Sequence, residues 1–252
     1  RRDFTINSIY SDKDGNLFDP HNGKKDLENG VINFIGDTDK RIKEDYLRII
    51  RYLRFFLNYS KQPHDLEIIK SLKIKIGGIL KLSKERLFDE LKKLIKLDTL
   101  EMLMNDKISL EFILMIFPEL KNIKIFSKLN TNKKKLLKGK DFIFLLSLMI
   151  IDDTDNADYF LYKFNISKKD QKRIKDIDNF FKEKINSKTF TENTMNKVFY
   201  YRGKQATLDI LSHRVMKIKK TDHSLAQLIE YYENCTTPTM PINADLLMRK
   251  YE

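Results

Sequence analysis

Arg41-Ile42-Lys43-Glu44-Asp45-Tyr46-Leu47-Arg48-Ile49-Ile50-Arg51-Tyr52-Leu53-Arg54-Phe55-Phe56-Leu57 sets the reading of the fold. Wound at about 100° per residue, Ile42, Tyr46, Ile49, Ile50, Leu53, Phe56 and Leu57 fall in one apolar sector, with Arg48, Arg51 and Arg54 opposite. The spacing predicts one helix over Arg41 to Tyr59. Asp45, one turn before Arg48, is placed to form an i,i+3 pair with it. Two readings of the arginine face stand side by side: a solvated surface with an ordinary ion pair, or donors and acceptors presented to a base edge and to phosphates. Periodicity alone does not choose between them.

Downstream, helical periodicity with polar breaks continues. Helices are expected over Leu66 to Leu72, Lys84 to Leu97, Asp98 to Met104, Leu110 to Met115, Phe142 to Ile151, Ala157 to Phe164, Lys168 to Ile185, Thr191 to Tyr201, Lys204 to Lys219 and Ser224 to Glu233. Lys133 to Lys140 and Thr236 to Pro241 read as loops, and Ala244 to Glu252 as the start of another helix. Upstream, the first 37 residues differ. Phe4 to Tyr10 reads as the close of a helix, Asp14-Gly15 as a hairpin turn between Ser8-Ile9-Tyr10 and Leu17-Phe18, and Val31 to Ile35 as a further strand. So few strands make no stable sheet alone, so this segment is expected to be the end of a domain cut short.

The 252 residues carry 48 Lys and Arg against 36 Asp and Glu, a formal charge of +12, which suits a polyanionic partner. Only 11 of the basic residues are arginine, and six of these (Arg1, Arg2, Arg41, Arg48, Arg51, Arg54) lie in the first 54 positions. In a lysine-rich chain, retained arginine points to a need for its planar, bidentate fork. A single cysteine, Cys235, and no apolar run of membrane-spanning length lead to the expectation of a cytoplasmic protein without membrane partners. His21, His64, His213 and His223 have no metal-ligand spacing, so zinc is not expected.

Four motifs in order decide the matter. Arg1-Arg2-Asp3-Phe4-Thr5-Ile6-Asn7 resembles the RRDFTIN motif of class II CCA-adding tRNA nucleotidyltransferases and bacterial poly(A) polymerases. Asp19-Pro20-His21-Asn22-Gly23 with Asp26-Leu27 is similar to that family's DPxxGxxDL segment, and Glu44-Asp45-Tyr46-Leu47-Arg48 through Arg51 and Arg54-Phe55 to its EDxLRxxRxxRF motif. Ser83-Lys84-Glu85-Arg86-Leu87-Phe88-Asp89-Glu90-Leu91 resembles its S-x-E-R helix. The resemblance implies a mainly α fold: residues 1–37 as the remnant of a mixed α/β nucleotidyltransferase head, 38–104 as a helical neck with the nucleotide-recognition helix, and 105–252 as a helical body and tail that bind tRNA.

It further implies nucleotide-binding roles for Arg2, Asp3 and Asn7, a protein template in Asp45 and Arg48, triphosphate contacts from Arg51 and Arg54, and a structural Glu44 holding a neighbouring arginine. The implied reaction adds CMP and AMP from CTP and ATP to a tRNA 3′ end, and Mg2+ is expected for the complete enzyme. In the family the metal carboxylates form a DxD pair that precedes RRD. The chain by itself is therefore expected to bind no Mg2+ and to be inactive. Asp152, Asp153 and Asp155 read as a helix-end cap, not a substitute for that pair, and His64-Asp65 as a lone surface dyad. A poly(A) polymerase and a noncatalytic RNA-binding module are the alternatives, and a basic helical domain without RNA is ranked last.

Overall fold

The computed structural model describes residues 2–183, 189–218 and 222–236. The predicted features at Arg1, Thr237 to Pro241 and Ala244 to Glu252 lie outside the described residues. The chain divides into two compact units between Ser167 and Lys168, and mainly α architecture holds in both.

The first unit opens with a 3-10 turn, Thr5–Asn7, where the close of a helix was predicted. The Asn7 amide oxygen accepts from Phe4 N at 3.2 Å, closing the turn on itself. Strands β1 (Tyr10–Ser11) and β2 (Leu17–Phe18) form the expected antiparallel hairpin. The predicted strand at Val31 to Ile35 reduces to a single bridge, Phe4 to Phe34, because only Thr5 N to Asn33 O and Ile35 N to Asp3 O connect the two stretches. Between them lies a helix not foreseen, α1 (Gly23–Asn29), capped where Asp19 accepts from Gly23 N and Lys24 N at 2.8 Å.

The Arg41 to Tyr59 helix is two helices, α2 (Thr38–Glu44) and α3 (Arg48–Tyr59). Asp45 takes an extended conformation (φ −155°, ψ 105°), and its side chain accepts from Leu47 N at 3.1 Å. This is the competition between an aspartate side chain and the helical backbone that favours turns. The apolar sector survives the break: Ile42 on α2 and Ile49, Ile50, Leu53 and Leu57 on α3 are buried. Helices α4 (Leu66–Lys75), α5 (Lys84–Leu94), α6 (Leu97–Asn105) and α7 (Lys107–Ile116) follow, and α5, α6 and α7 pack against α3.

Beyond α7, the predicted Lys133 to Lys140 loop is mostly helix: α8 (Thr131–Leu137) begins where Asn130 accepts from Lys133 N. Its lysines are good helix formers, and the buried Leu137 anchors them. Helix α9 (Phe142–Ile150) is buried along its length from Ile143, and α10 (Asn156–Lys163) packs on it. Asp152 is tied to Thr154 and Lys121 in the bend between these helices, and Asp155 occupies the N-cap position of α10.

His64 is the clearest departure from the surface dyad. It is buried, its Nε2 lies 2.7 Å from an Asp106 carboxylate oxygen and its Nδ1 3.1 Å from the Tyr52 hydroxyl. Because the carboxylate accepts, Nε2 carries the proton and Nδ1 accepts from Tyr52. Burial opposes ionisation of Asp106, but hydrogen bonds from His64 and Ser109 outweigh it and hold the carboxyl below its ordinary value. Asp65 does not partner His64 here; it caps α4 by accepting from Glu67 N and Ile68 N.

The second unit contains α11 (Lys168–Lys182), α12 (Glu192–Lys217) and α13 (His223–Asn234). The two helices predicted at Thr191 to Tyr201 and Lys204 to Lys219 run together as α12, interrupted at Gly203 (φ 85°). Asp209, fully buried, accepts from Arg173 Nε at 2.7 Å and Gln205 at 3.0 Å, joining α11 to α12. Tyr232 donates to the Asn196 side chain at 2.7 Å, joining α13 to α12.

Candidate nucleotide-recognition site

The arginines of α3 begin at its N-terminus, where the helix dipole disfavours cations, and the first turn carries no acidic residue. Carboxylates from three other segments supply the compensation. Asp3, just ahead of the Phe4 to Phe34 bridge, lies 2.7 Å from Arg48 Nε and 2.6 Å from Arg51 Nε, with Arg41 Nη2 at 3.9 Å. The Arg51 contact is an ion pair and not an aligned hydrogen bond. Glu44, the last residue of α2, accepts from Arg48 at 2.8 Å and from Arg41 at 2.6 Å. Glu90 on α5 is only 2% exposed at its side chain and receives Arg54 Nε at 3.1 Å, Arg51 Nη1 at 3.4 Å and Lys93 at 2.8 Å.

The geometry follows from the spacing. Each three-residue step along a helix turns the side chain by about −60°, so successive arginines rotate around α3 instead of stacking. Arg48 thus reaches Asp3 and Glu44, Arg51 spans Asp3 and Glu90, and Arg54 reaches Glu90 alone, with its guanidinium 4.6 Å from the Phe55 ring centroid. The face is therefore a partly buried lattice and not the solvated surface of the simpler reading. Burial opposes the charge on Arg48, yet Glu44 and Asp3 outweigh it and hold the guanidinium above its ordinary pKa. Arg41, Arg48, Arg51, Arg54 and Lys93 outnumber Asp3, Glu44 and Glu90 among them, which leaves a local positive surplus suited to a polyanion.

Asp45 does not make the predicted pair with Arg48. One of its oxygens caps Leu47 N, and the other lies 2.7 Å from Arg86 Nη2 on α5. Asp45 and Arg48 nevertheless flank the same short break, since Arg48 N donates to Asp45 O at 3.1 Å. Arg2 is exposed, and its carbonyl accepts from Arg41. Asn7 lies at the 3-10 turn and is used locally. Sequence reasoning gave no role to Arg41, Glu90 or Arg86. The last two stand four apart in the S-x-E-R helix, on one face of α5, which is the signal that could have found them.

Among the described residues, no group of three or more His, Cys, Asp or Glu is disposed to hold a metal ion. Asp3, Glu44 and Glu90 are each committed to guanidinium groups, so the carboxylates of this site do not fit a magnesium ion. No described helix is long and apolar enough to cross a membrane.

The site is thus a turn between α2 and α3 flanked by arginines that pair with carboxylates of Asp3, α2 and α5. The family described as Poly A polymerase head domain matches residues 1–33. The mitochondrial CCA tRNA nucleotidyltransferase 1 of Mus musculus is 36% identical over 61% of the chain and 36% of its own length. A CCA-adding enzyme of Staphylococcus saprophyticus is 29% identical over 84% of the chain and 51% of its own length. The crystal structure of the Bacillus stearothermophilus CCA-adding enzyme in complex with CTP matches with a TM-score of 0.61 at 17% identity, covering 92% of the chain and 57% of that structure. The chain thus spans about a third to a half of these curated relatives. It is similar to members of the CCA-adding enzyme and poly(A) polymerase family.

Proposed function

We propose that the chain carries the nucleotide-selecting neck and the RNA-holding helical body of a CCA-adding tRNA nucleotidyltransferase, which transfers CMP and then AMP from CTP and ATP to tRNA 3′ ends. The observation that carries this is the Asp45 to Arg48 turn, with a carboxylate oxygen and a guanidinium at one helix break and a positive surplus beside it. Cytosine and adenine share an amino donor beside a ring-nitrogen acceptor. Asp45 accepts from the amino group, and Arg48, whose Nε and Nη1 are engaged, offers Nη2 to the acceptor. Uracil and guanine reverse that pattern and leave buried polar groups unpaired, which costs more than a matched pair gains.

In this reading Arg51 and Arg54 meet the triphosphate, and Arg2 meets the nucleotide from the exposed side. Asp3 acts through Arg48 and Arg51, and Asn7 by holding the turn that follows Asp3. Residues 38–104 form the neck and 105–252 the body and tail, with the lysines of α8 (Lys133, Lys134, Lys135, Lys138) among the candidates for RNA contact. Magnesium, where the complete enzyme uses it, is held by carboxylates other than those described here. The lone Cys235 is in keeping with a cytoplasmic setting.

Incorporation into tRNA lacking its CCA end tests the reading, with the full-length protein and the 252-residue chain compared in CTP and ATP. The full-length protein is expected to add C, C and A, and the chain alone nothing. Repeated A without C assigns a poly(A) polymerase, and no addition by either assigns a noncatalytic RNA binder.

A further inference from the structure

Arg41 stands between the two stretches that the proposed site joins. It lies on α2, its side chain is 12% exposed, and its terminal nitrogens work in different directions. Nη1 donates to Glu44 at 2.6 Å, within its own helix, and Nη2 donates to the main-chain carbonyl of Arg2. The Arg41 carbonyl in turn accepts from Arg48 Nη1. One residue thus grips the backbone at Arg2 with its side chain and the guanidinium of Arg48 with its main chain.

The segment that carries Arg2 is held elsewhere by residues 33–35. Asp3 O accepts from Ile35 N and Thr5 N donates to Asn33 O, both at 3.0 Å, which fixes the chain from Asp3 onward. The planar peptide between Arg2 and Asp3 lies ahead of these bonds, and the bond from Arg41 to its carbonyl sets its tilt. That tilt decides the direction in which the Arg2 side chain leaves the backbone. Stability gives a poor account of the arrangement, because Arg41 Nε is buried and finds no hydrogen-bond acceptor among the described residues, a cost that offsets part of what the other contacts contribute. We propose that Arg41 is a positioning residue for the incoming nucleotide: it acts through Arg2, fixing the main chain from which the Arg2 guanidinium reaches the nucleotide, and its side chain takes no part in choosing the base. Its bond to Arg48 is made by the main chain and survives replacement of the side chain, so loss of the Arg41 guanidinium is felt at Arg2. The proposal rests on the reading of Arg2 given above.

The test is a double-mutant cycle on KM in the full-length protein, with wild type, Arg2→Ala, Arg41→Lys and the two together. CTP is offered with tRNA lacking its CCA end and ATP with tRNA ending in CC. Arg2→Ala is expected to raise KM for either nucleotide about tenfold, the loss of one hydrogen bond from a charged group. In Arg41→Lys the charge remains, but a single ammonium cannot serve Glu44 and the Arg2 carbonyl as the fork does, so KM rises about fivefold with kcat nearly unchanged, the mark of lost uniform binding. The two substitutions together give no more than Arg2→Ala alone, whereas independent residues would multiply to about fiftyfold. The CTP-over-UTP ratio of kcat/KM in Arg41→Lys stays within about twofold of wild type, since the loss is common to all nucleotides. KM does not depend on the fraction of protein that is folded, and Arg41→Gln repeats the cycle with a side chain that keeps a donor but no charge. Effects that multiply in the double variant overturn the proposal, as do a wild-type KM in both Arg41 variants or a fall in the CTP-over-UTP ratio. An Arg2→Ala protein with wild-type KM for both nucleotides overturns the reading of Arg2 itself and is seen before the cycle is closed.

Discussion

Replacing Asp3 with alanine is expected to destabilise the protein by roughly 3–5 kcal/mol, the cost of removing one partner from a buried ion pair. Three guanidinium groups converge on this carboxylate. Arg48 is 8% exposed at its side chain, so it cannot turn to water once Asp3 is gone. Glu44 remains for Arg41 and Arg48, but it is more exposed and lies on the other side. Asp3→Asn keeps the shape and an acceptor oxygen, so it should lose less. Urea unfolding with an unchanged m-value measures both variants, and a loss below about 1 kcal/mol for Asp3→Ala would mean the lattice is held mainly by Glu44 and Glu90.

Gly23→Ala is expected to cost about 2 kcal/mol although Gly23 begins a helix, where alanine is ordinarily welcome. A Cβ at this position would stand 2.7 Å from the Thr5 carbonyl carbon and closer still to its oxygen, and a backbone group cannot rotate aside as a side chain can. The gain from a stiffer unfolded chain, about 0.4–1 kcal/mol, acts in the opposite direction and is the smaller effect. The Thr5 hydroxyl also bonds Asp26 on α1, so pushing the turn away breaks a second link. The shift propagates two residues back to Asp3. Thermal unfolding checks the loss, and a variant as stable as wild type would show that the turn yields freely.

Helix existence was legible because burial imposes period 3.6 on any segment packed on one side, and the apolar sector of α2 and α3 is continuous. That same continuity hid the break. Nothing in the spacing of Ile42, Tyr46, Ile49 and Ile50 announces that the backbone at Asp45 is extended. Once it is extended, the i,i+3 geometry behind a pairing of Asp45 with Arg48 no longer exists, and partners 41 residues away become available. Glu44 was legible as the support of neighbouring arginines because its contacts are local. Asp3 and Glu90 were not, since their role depends on which segments the fold brings over α3. His64 failed for a related reason: its partner Asp106 is distant in sequence, and the adjacent Asp65 is drawn off to cap α4. The four ordered motifs point to this segment by resemblance, where local physics gives no signal.

The central claim, that Asp45 and Arg48 select the base, is tested most directly by misincorporation in the full-length protein carrying Asp45→Ala or Arg48→Ala. With each of the four nucleoside triphosphates offered alone to tRNA lacking its CCA end, the account predicts that either substitution narrows the preference for CTP and ATP over UTP and GTP by about a hundredfold or more, since a site built to pair polar groups discriminates steeply. Variants that slow all four nucleotides equally, with the preference intact, would contradict it and return the Asp45 turn to a purely structural role.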